Sequence, residues 1–348
     1  MKILVLGING FIGHHLARAI LEKTGWSVTG MDINDDRIKE LNSSERFRFI
    51  EGDITINREY LEYNIKKHDV IIPLVAVATP SVYVSDPLRV FELDFEANLP
   101  IVRSCVKYSK RLIFPSTSEV YGMSEDQSFD VDQTNLVLGP IHMQRWIYSC
   151  SKQLMDRVIY AYGERDKLDY TLFRPFNWFG TGLDNILEPK EGASRVITQF
   201  LGNIVRGSDL ILVDGGGQKR AFTHISDGID ALLRIIENKG GVATRKIYNV
   251  GNPANDYSIS DLAHLMVRIT EKYSEYPKKS KIVVCGANDY YGKGYEDVKN
   301  RVPNISNIMK DLKWAPCLSL EEGLEDTILY YSKYLRDARE LVGVENGQ

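Results

Sequence analysis

The chain has 348 residues, 43% of them apolar and 26% charged, with a formal net charge of −4. That length suits two lobes and that composition an ordinary globular protein, while the near-neutral balance excludes a general affinity for nucleic acid or anionic membrane. Four scattered cysteines (Cys105, Cys150, Cys285, Cys317) lack metal-ligand spacing, so no metal site is expected and the thiols read as reduced, in a cytoplasmic protein.

A short apolar strand is predicted over 3–7, with no signal peptide before it and no membrane-length run in the chain. It leads directly into G-I-N-G-F-I-G. In such a turn Gly7 permits the tight bend, Gly10 lets backbone approach a pyrophosphate, and Gly13 allows close helix–strand packing. Asn9, Phe11 and Ile12 fall inside the same turn and are assigned to the cofactor with it. A second strand over 27–32 ends in Asp32, 19 residues after Gly13, where a carboxylate can accept hydrogen bonds from a ribose diol. The same carboxylate would repel a 2′-phosphate, so NAD is expected over NADP. A third strand, 47–51, precedes Asp53 and Ile54, which are expected to line the adenine.

Further strands are predicted over 70–75 and 111–116, with a long helix between them running from Pro87 to Tyr108 and bent at Pro100. The second of these strands runs into P-S-T-S-E-V-Y-G. A helix over 145–163 then carries Tyr148 and Lys152, four residues apart and so on one face. A phenol has an ordinary pKa near 10, and a neighbouring ammonium, together with the positive nicotinamide ring of NAD, favours the phenolate. Such a tyrosine can take a proton from a sugar hydroxyl while hydride leaves the same carbon.

The strand over 170–175 closes this region, and 177–195 reads as a loop. After it come a strand from Ile211 to Gly217, a helix over 225–237, a strand over 246–251 and a terminal amphipathic helix. The runs of the first half alternate strand with helix and lack a two-residue period, as in strands buried on both faces. The expected fold is α/β: a Rossmann doubly wound parallel sheet with a smaller C-terminal α/β lobe. We expect residues 1–176 to bind NAD and 177–348 to bind a nucleotide sugar, with the chain returning to the sheet.

The Gly-x-x-Gly-x-x-Gly spacing resembles the extended short-chain dehydrogenase/reductase family. The resemblance implies NAD and a nucleoside-diphosphate sugar held between the lobes, with Thr117, Tyr148 and Lys152 as the catalytic triad. Sugar-nucleotide 4,6-dehydratases carry Thr-Asp-Glu where this chain has Thr117, Ser118 and Glu119. Simple 4-epimerases typically have small residues in place of the Glu. The segment is similar to UDP-glucuronate decarboxylases, and the likeness to the decarboxylase half of bifunctional polymyxin-resistance enzymes extends over nearly the full length. Matching stretches include LVAVATPSVY, PSTSEVYGM, TLFRPFNWFG and YYGKGYEDVKNR. The formyltransferase domain that precedes this region in those enzymes is expected to be absent.

This resemblance implies Tyr83 in the sugar pocket, Asn177, Arg195 and Arg220 on the nucleotide, and Tyr295 and Arg301 at the sugar carboxylate. It implies UDP-glucuronate as substrate, and a homodimer formed through helices near 88–108 and 145–163. Chemically, a C4 ketone is β to the C6 carboxylate, so carbon dioxide can leave once C4 is oxidised. Thr117 and Tyr148 can stabilise the oxyanion, a contribution of roughly 3–4 kcal/mol per donor. Glu119, with Ser118, can handle the proton, and is expected to be protonated opposite the substrate carboxylate. Whether the keto sugar is released or reduced again to UDP-xylose is open at this point. A 4-epimerase, another UDP-sugar oxidoreductase such as a dehydratase, and a non-catalytic NAD-binding scaffold are the alternatives.

Overall fold

The protein is described by a computed structural model covering residues 1–186, 195–277, 280–286, 290, 298 and 301–345. Its first six strands are β1 Lys2–Leu6, β2 Ser27–Asp32, β3 Phe47–Glu51, β4 Val70–Pro73, β5 Arg111–Pro115 and β6 Tyr170–Pro175. Four short strands follow, β7 Trp178–Phe179, β8 Leu210–Val213, β9 Lys219–Ala221 and β10 Thr223–His224, and then β11 Lys246–Val250. The main sheet is parallel in the order β3-β2-β1-β4-β5-β6-β11. This is a Rossmann-type doubly wound sheet. The order reverses between β1 and β4, so the loops leaving those strands diverge and open a crevice at their carboxyl ends.

Both faces are covered, which explains the unbroken apolar runs. Ile3 and Val5 of β1 point into one core with Leu16 and Ile20 of helix α1 (Phe11–Lys23). Leu4 and Leu6 point the other way, toward Leu61 and Ile65 of α2 (Arg58–Lys67). That alternation is the two-residue period of a strand seen from two cores at once.

The expected long helix from Pro87 is three pieces. After α3 (Pro80–Ser85) come α4 (Pro87–Phe91), a π turn over Glu92–Glu96, and α5 (Leu99–Lys107). Pro100 lies in the first turn of α5, where a missing N–H costs no helical hydrogen bond, so the break precedes the proline. The next helix, α6, spans Trp146–Asp166.

Two strands stop short of expectation, at Pro73 and Pro115. β4 and β5 pair over only Val70↔Arg111 and Ile71↔Leu112. The two strands part beyond Ile71 and Leu112, before Pro73 and Pro115 are reached. The crevice begins at that seam.

Among the described residues, the chain beyond β6 returns once to the main sheet through β11, which pairs with β6. Residues 178–179, expected as loop, form β7 and pair with β10. The strand expected from Ile211 to Gly217 ends at Val213, because Gly215 and Gly216 adopt positive φ in a turn. β9 pairs with β12 (Asp256–Ser258), and β8 with β13 (Ile282–Cys285). Helices α7 (Val196–Arg206), α8 (Ile225–Glu237), α9 (Ile259–Thr270), α10 (Ser306–Leu312) and α11 (Leu320–Glu345) complete the fold. No described helix is long and apolar enough to cross a membrane.

Candidate active site

The glycine turn between β1 and α1 has the form a dinucleotide requires. Gly7 has φ +80°. A Cβ at Gly13 would stand 2.5 Å from the Gly7 carbonyl oxygen, so only glycine lets α1 start this close to β1. A Cβ at Gly10 would meet only that same oxygen, at 3.2 Å, so the turn leaves room for a diphosphate in front of the helix N-terminus.

Asp32 Oδ2 accepts the Asn9 N–H at 2.8 Å, and Oδ1 accepts the Ile33 N–H at 2.8 Å. Burial pushes its carboxyl above the ordinary range, opposed by those two donors and the Arg37 guanidinium. Each oxygen retains a lone pair toward the cleft, so ribose hydroxyls can still be received. Asp53 and Ile54 lie outside the cleft lining. Asp53 Oδ1 accepts both the N–H and the hydroxyl of Thr55, and Ile54 is buried in the core beneath the sheet. The short polar side chain at this strand end closes a turn on itself, a use the sequence alone does not distinguish from ligand binding.

At the end of β5, Thr117 caps the turn Ser118–Tyr121, its hydroxyl accepting the Glu119 N–H at 3.2 Å. This places Thr117, Ser118 and Glu119 side by side along one wall of the cleft. Glu119 is gripped from both sides. Arg301 Nη1 lies 2.5 Å from its Oε1, and Arg145 Nη2 lies 2.7 Å from its Oε2. Burial pushes the Glu119 carboxyl up, but the Arg301 and Arg145 guanidiniums outweigh it and hold the group down at about 2. The protonated Glu119 expected in the complex is therefore an ionised carboxylate in the ligand-free protein.

Arg145, immediately before α6, is a residue that sequence reasoning missed. It is 2% exposed and its guanidinium stacks on Trp146 at 4.5 Å from the ring centroid. An arginine in a loop ahead of a helix gives no local sign that it will meet a glutamate 26 residues earlier.

Tyr148 and Lys152 share one face of α6, both buried. The Tyr148 ring stacks on Tyr83 of α3, centroids 4.6 Å apart and planes within 7°. Lys152 Nζ donates to the Pro115 carbonyl at 3.3 Å and sits 5.9 Å from the Tyr148 ring centroid. It also meets a second unforeseen residue: Asp94 Oδ1, 3.2 Å away and wholly buried. The expectation that Lys152 and the nicotinamide ring together favour the phenolate concerns the cofactor-bound site; in the protein alone other groups act on Tyr148. Burial pushes the Tyr148 phenol well above its ordinary value, the Asp94 carboxylate pushes the same way, and the Thr117 hydroxyl pulls back.

Two cavities meet here. A cleft of about 750 Å3 runs from Gly7 and Asp32 past Thr117, Tyr148 and Lys152. A smaller one of about 200 Å3 is lined by Phe200, Val213, Arg220 and Phe222. Glu119, Asn177, Arg195 and Arg301 line both, so the two cavities adjoin. Asn177 holds φ +41° and donates to the Ala221 carbonyl at 3.1 Å. Arg195 pairs with Asp184 at 2.6 Å, and Arg220 donates to the Val298 carbonyl at 2.7 Å. Tyr295 lies outside the described residues. Among the described residues no cluster suits a metal ion.

Comparison with known proteins adds to this geometry. Residues 3–251 match the model of the NAD dependent epimerase/dehydratase family. The chain is similar to the PbgP3 protein from Burkholderia pseudomallei, with 57% identity, a TM-score of 0.88, and 97% of this chain and 98% of that one covered. The fold is shared with a UDP-glucuronic acid 4-epimerase from Bacillus cereus, seen with UDP-glucuronic acid and NAD, at 24% identity and a TM-score of 0.78; 96% of this chain and all of that one are covered. It is shared too with a dTDP-glucose 4,6-dehydratase from Bacillus anthracis in complex with NAD, at 21% identity and a TM-score of 0.77, covering 96% of this chain and 97% of that one.

Proposed function

The chain belongs to the NAD dependent epimerase/dehydratase family, and on that premise we propose that it is a decarboxylating UDP-glucuronate dehydrogenase. The observation that carries the proposal is the Arg145–Glu119–Arg301 cluster, set beside Thr117 and Tyr148 where the two cavities meet. A neutral hexose needs no guanidinium pair at this point, whereas a uronate does. A glutamate between the arginines supplies an ionisable group that hydride transfer alone does not use.

The glycine turn and Asp32 would hold NAD, which would supply the hydride acceptor for oxidation at C4 of the sugar. Tyr148 receives the C4 hydroxyl proton, with Thr117 donating to the oxygen on which charge develops. Arg301 turns the C6 carboxylate out of the plane of the new carbonyl. The C5–C6 bond then breaks, its electron pair passes to C5 and O4, and carbon dioxide leaves. A proton delivered through Glu119 and Ser118 goes to C5.

When the substrate carboxylate draws on the arginines, Glu119 loses part of what holds it ionised, and its pKa rises toward the range of a proton donor. Tyr83, Asn177, Arg195 and Arg220, with Tyr295, are assigned to the nucleotide sugar. Residues 1–176 form the cofactor lobe and 177–348 the sugar lobe. A homodimer through the helical segments near 88–108 and 145–163 fits the exposed Leu88, Leu154 and Tyr160. The likeness to decarboxylase domains favours release of the UDP-4-keto-pentose with NADH over reduction to UDP-xylose.

The test is a single incubation with UDP-glucuronate and NAD, followed for carbon dioxide, NADH absorbance and product mass. Carbon dioxide, NADH and a product lighter by the mass of carbon dioxide and two hydrogens are expected. An isomer of unchanged mass and no carbon dioxide makes the protein a 4-epimerase and refutes decarboxylation.

A further inference from the structure

Asp94 lies in the π turn between α4 and α5 with its side chain fully buried. Its Oδ2 accepts the Val77 N–H at 2.9 Å, just beyond β4, and its Oδ1 faces Lys152 Nζ at 3.2 Å. A buried carboxylate is costly unless opposed by charge, and here the opposing charge belongs to the lysine that neighbours the reactive phenol. π turns often mark functional positions because the extra residue re-aims side chains that a regular helix would direct elsewhere.

We propose that Asp94 is a positioning residue for the Tyr148–Lys152 pair: it clamps the Lys152 ammonium beside the Pro115 carbonyl and, by countering that charge, keeps Tyr148 a neutral phenol until a cation sits next to it. This rests on the reading of Tyr148 as the base of an NAD-dependent oxidation.

The groups around the pair leave Asp94 in this role. Thr117, Glu119, Arg195 and the stacked Tyr83 face Tyr148. Lys152 faces Asp94, the Phe114 ring and, one helical turn on, Asp156. Asp156 is engaged elsewhere, accepting from the Ser116 hydroxyl at 2.7 Å and from Arg174 at 3.2 Å. The positive nicotinamide ring of oxidised NAD is a cation of the required kind. The free protein then holds a masked base that is uncovered only when the oxidant is in place.

Asp94→Asn keeps the shape and the Val77 hydrogen bond and removes the charge. The readout is the pH profile of NAD reduction by UDP-glucuronate in a single turnover. The acid limb is expected to move to lower pH by on the order of one unit, with KM for the sugar nucleotide unchanged. A limb that stays in place or moves upward overturns the inference.

Should Asp94→Asn fail to fold, ultraviolet difference titration of the parent against Tyr148→Phe, both stripped of cofactor, decides the matter. Tyr148 should then give no phenolate below about pH 10, and a phenolate near neutrality overturns the inference. A parent that reduces no NAD brings down the functional reading and this one together. A parent that does reduce it, with a limb Asp94→Asn leaves unmoved, brings down this one alone.

Discussion

Replacing Arg301 by Met removes a guanidinium while keeping most of the side-chain volume, and leaves Thr117, Tyr148 and Lys152 untouched. The ion pair that disappears is short and sheltered: 2.5 Å to Glu119 Oε1, with side-chain exposures of 6% and 15%. Charge-assisted hydrogen bonds contribute about 1.5–3 kcal/mol, so the same guanidinium turned on a substrate carboxylate accounts for roughly 10- to 150-fold in kcat/KM. Arg301→Met should therefore lower carbon dioxide release from UDP-glucuronate by at least about tenfold. The parent's preference for that sugar over UDP-glucose should shrink by a similar factor.

Stability should change with it. Glu119 has an ordinary pKa of 4.5 and is held at about 2. A depressed carboxyl contributes stability that is present above 4.5 and lost as pH falls toward 2. The variant, left with Arg145 alone, should be less stable by on the order of 2 kcal/mol at neutral pH and show a shallower decline in acid. The assays are parallel turnover of both sugars under identical NAD and thermal melts across pH. A parent that accepts UDP-glucose as readily, or a variant that keeps full discrimination, refutes the assignment of Arg301.

Three further outcomes follow from other parts of the site. Tyr148→Phe should abolish NAD reduction while nucleotide-sugar binding, measured by calorimetry, stays near the parent value; near-normal reduction would mean another base. Asp32 should give NAD an advantage over NADP of at least about tenfold in kcat/KM, since ~1.4 kcal/mol of charge repulsion suffices, and equal use of both would remove its role. Gly13→Ala should weaken NAD binding and lower the melting temperature, because its Cβ would sit 2.5 Å from the Gly7 oxygen; unchanged binding would show that the turn can relax without cost.

Local patterns carried much of this into view. The glycine turn, the Thr117–Glu119 run and the Tyr148–Lys152 spacing each arise from neighbours in the chain, and each sits at a strand end or on a helix face as read. The charge balance around the reacting groups did not show. Arg145 joins Glu119 across 26 residues and Arg301 joins it across 182. Asp94 is an acidic residue in an amphipathic stretch, which reads as solvated, yet it lies buried within the π turn. Lys152 and the nicotinamide ring were legible as charges that favour the phenolate; burial and the Asp94 carboxylate, which push the ligand-free phenol up, were not. Asp53 shows a further contact that was not legible, its Oδ1 closing a local turn with Thr55.

The short seam between β4 and β5 bears on how ligands enter. The ladder between them ends after Ile71 and Leu112, while β4 goes on beside β1 and β5 beside β6. The mouth of the crevice is thus open in the folded sheet, and no ladder must be pried apart there to admit a dinucleotide. Free energy that another architecture would spend on opening stays available for affinity.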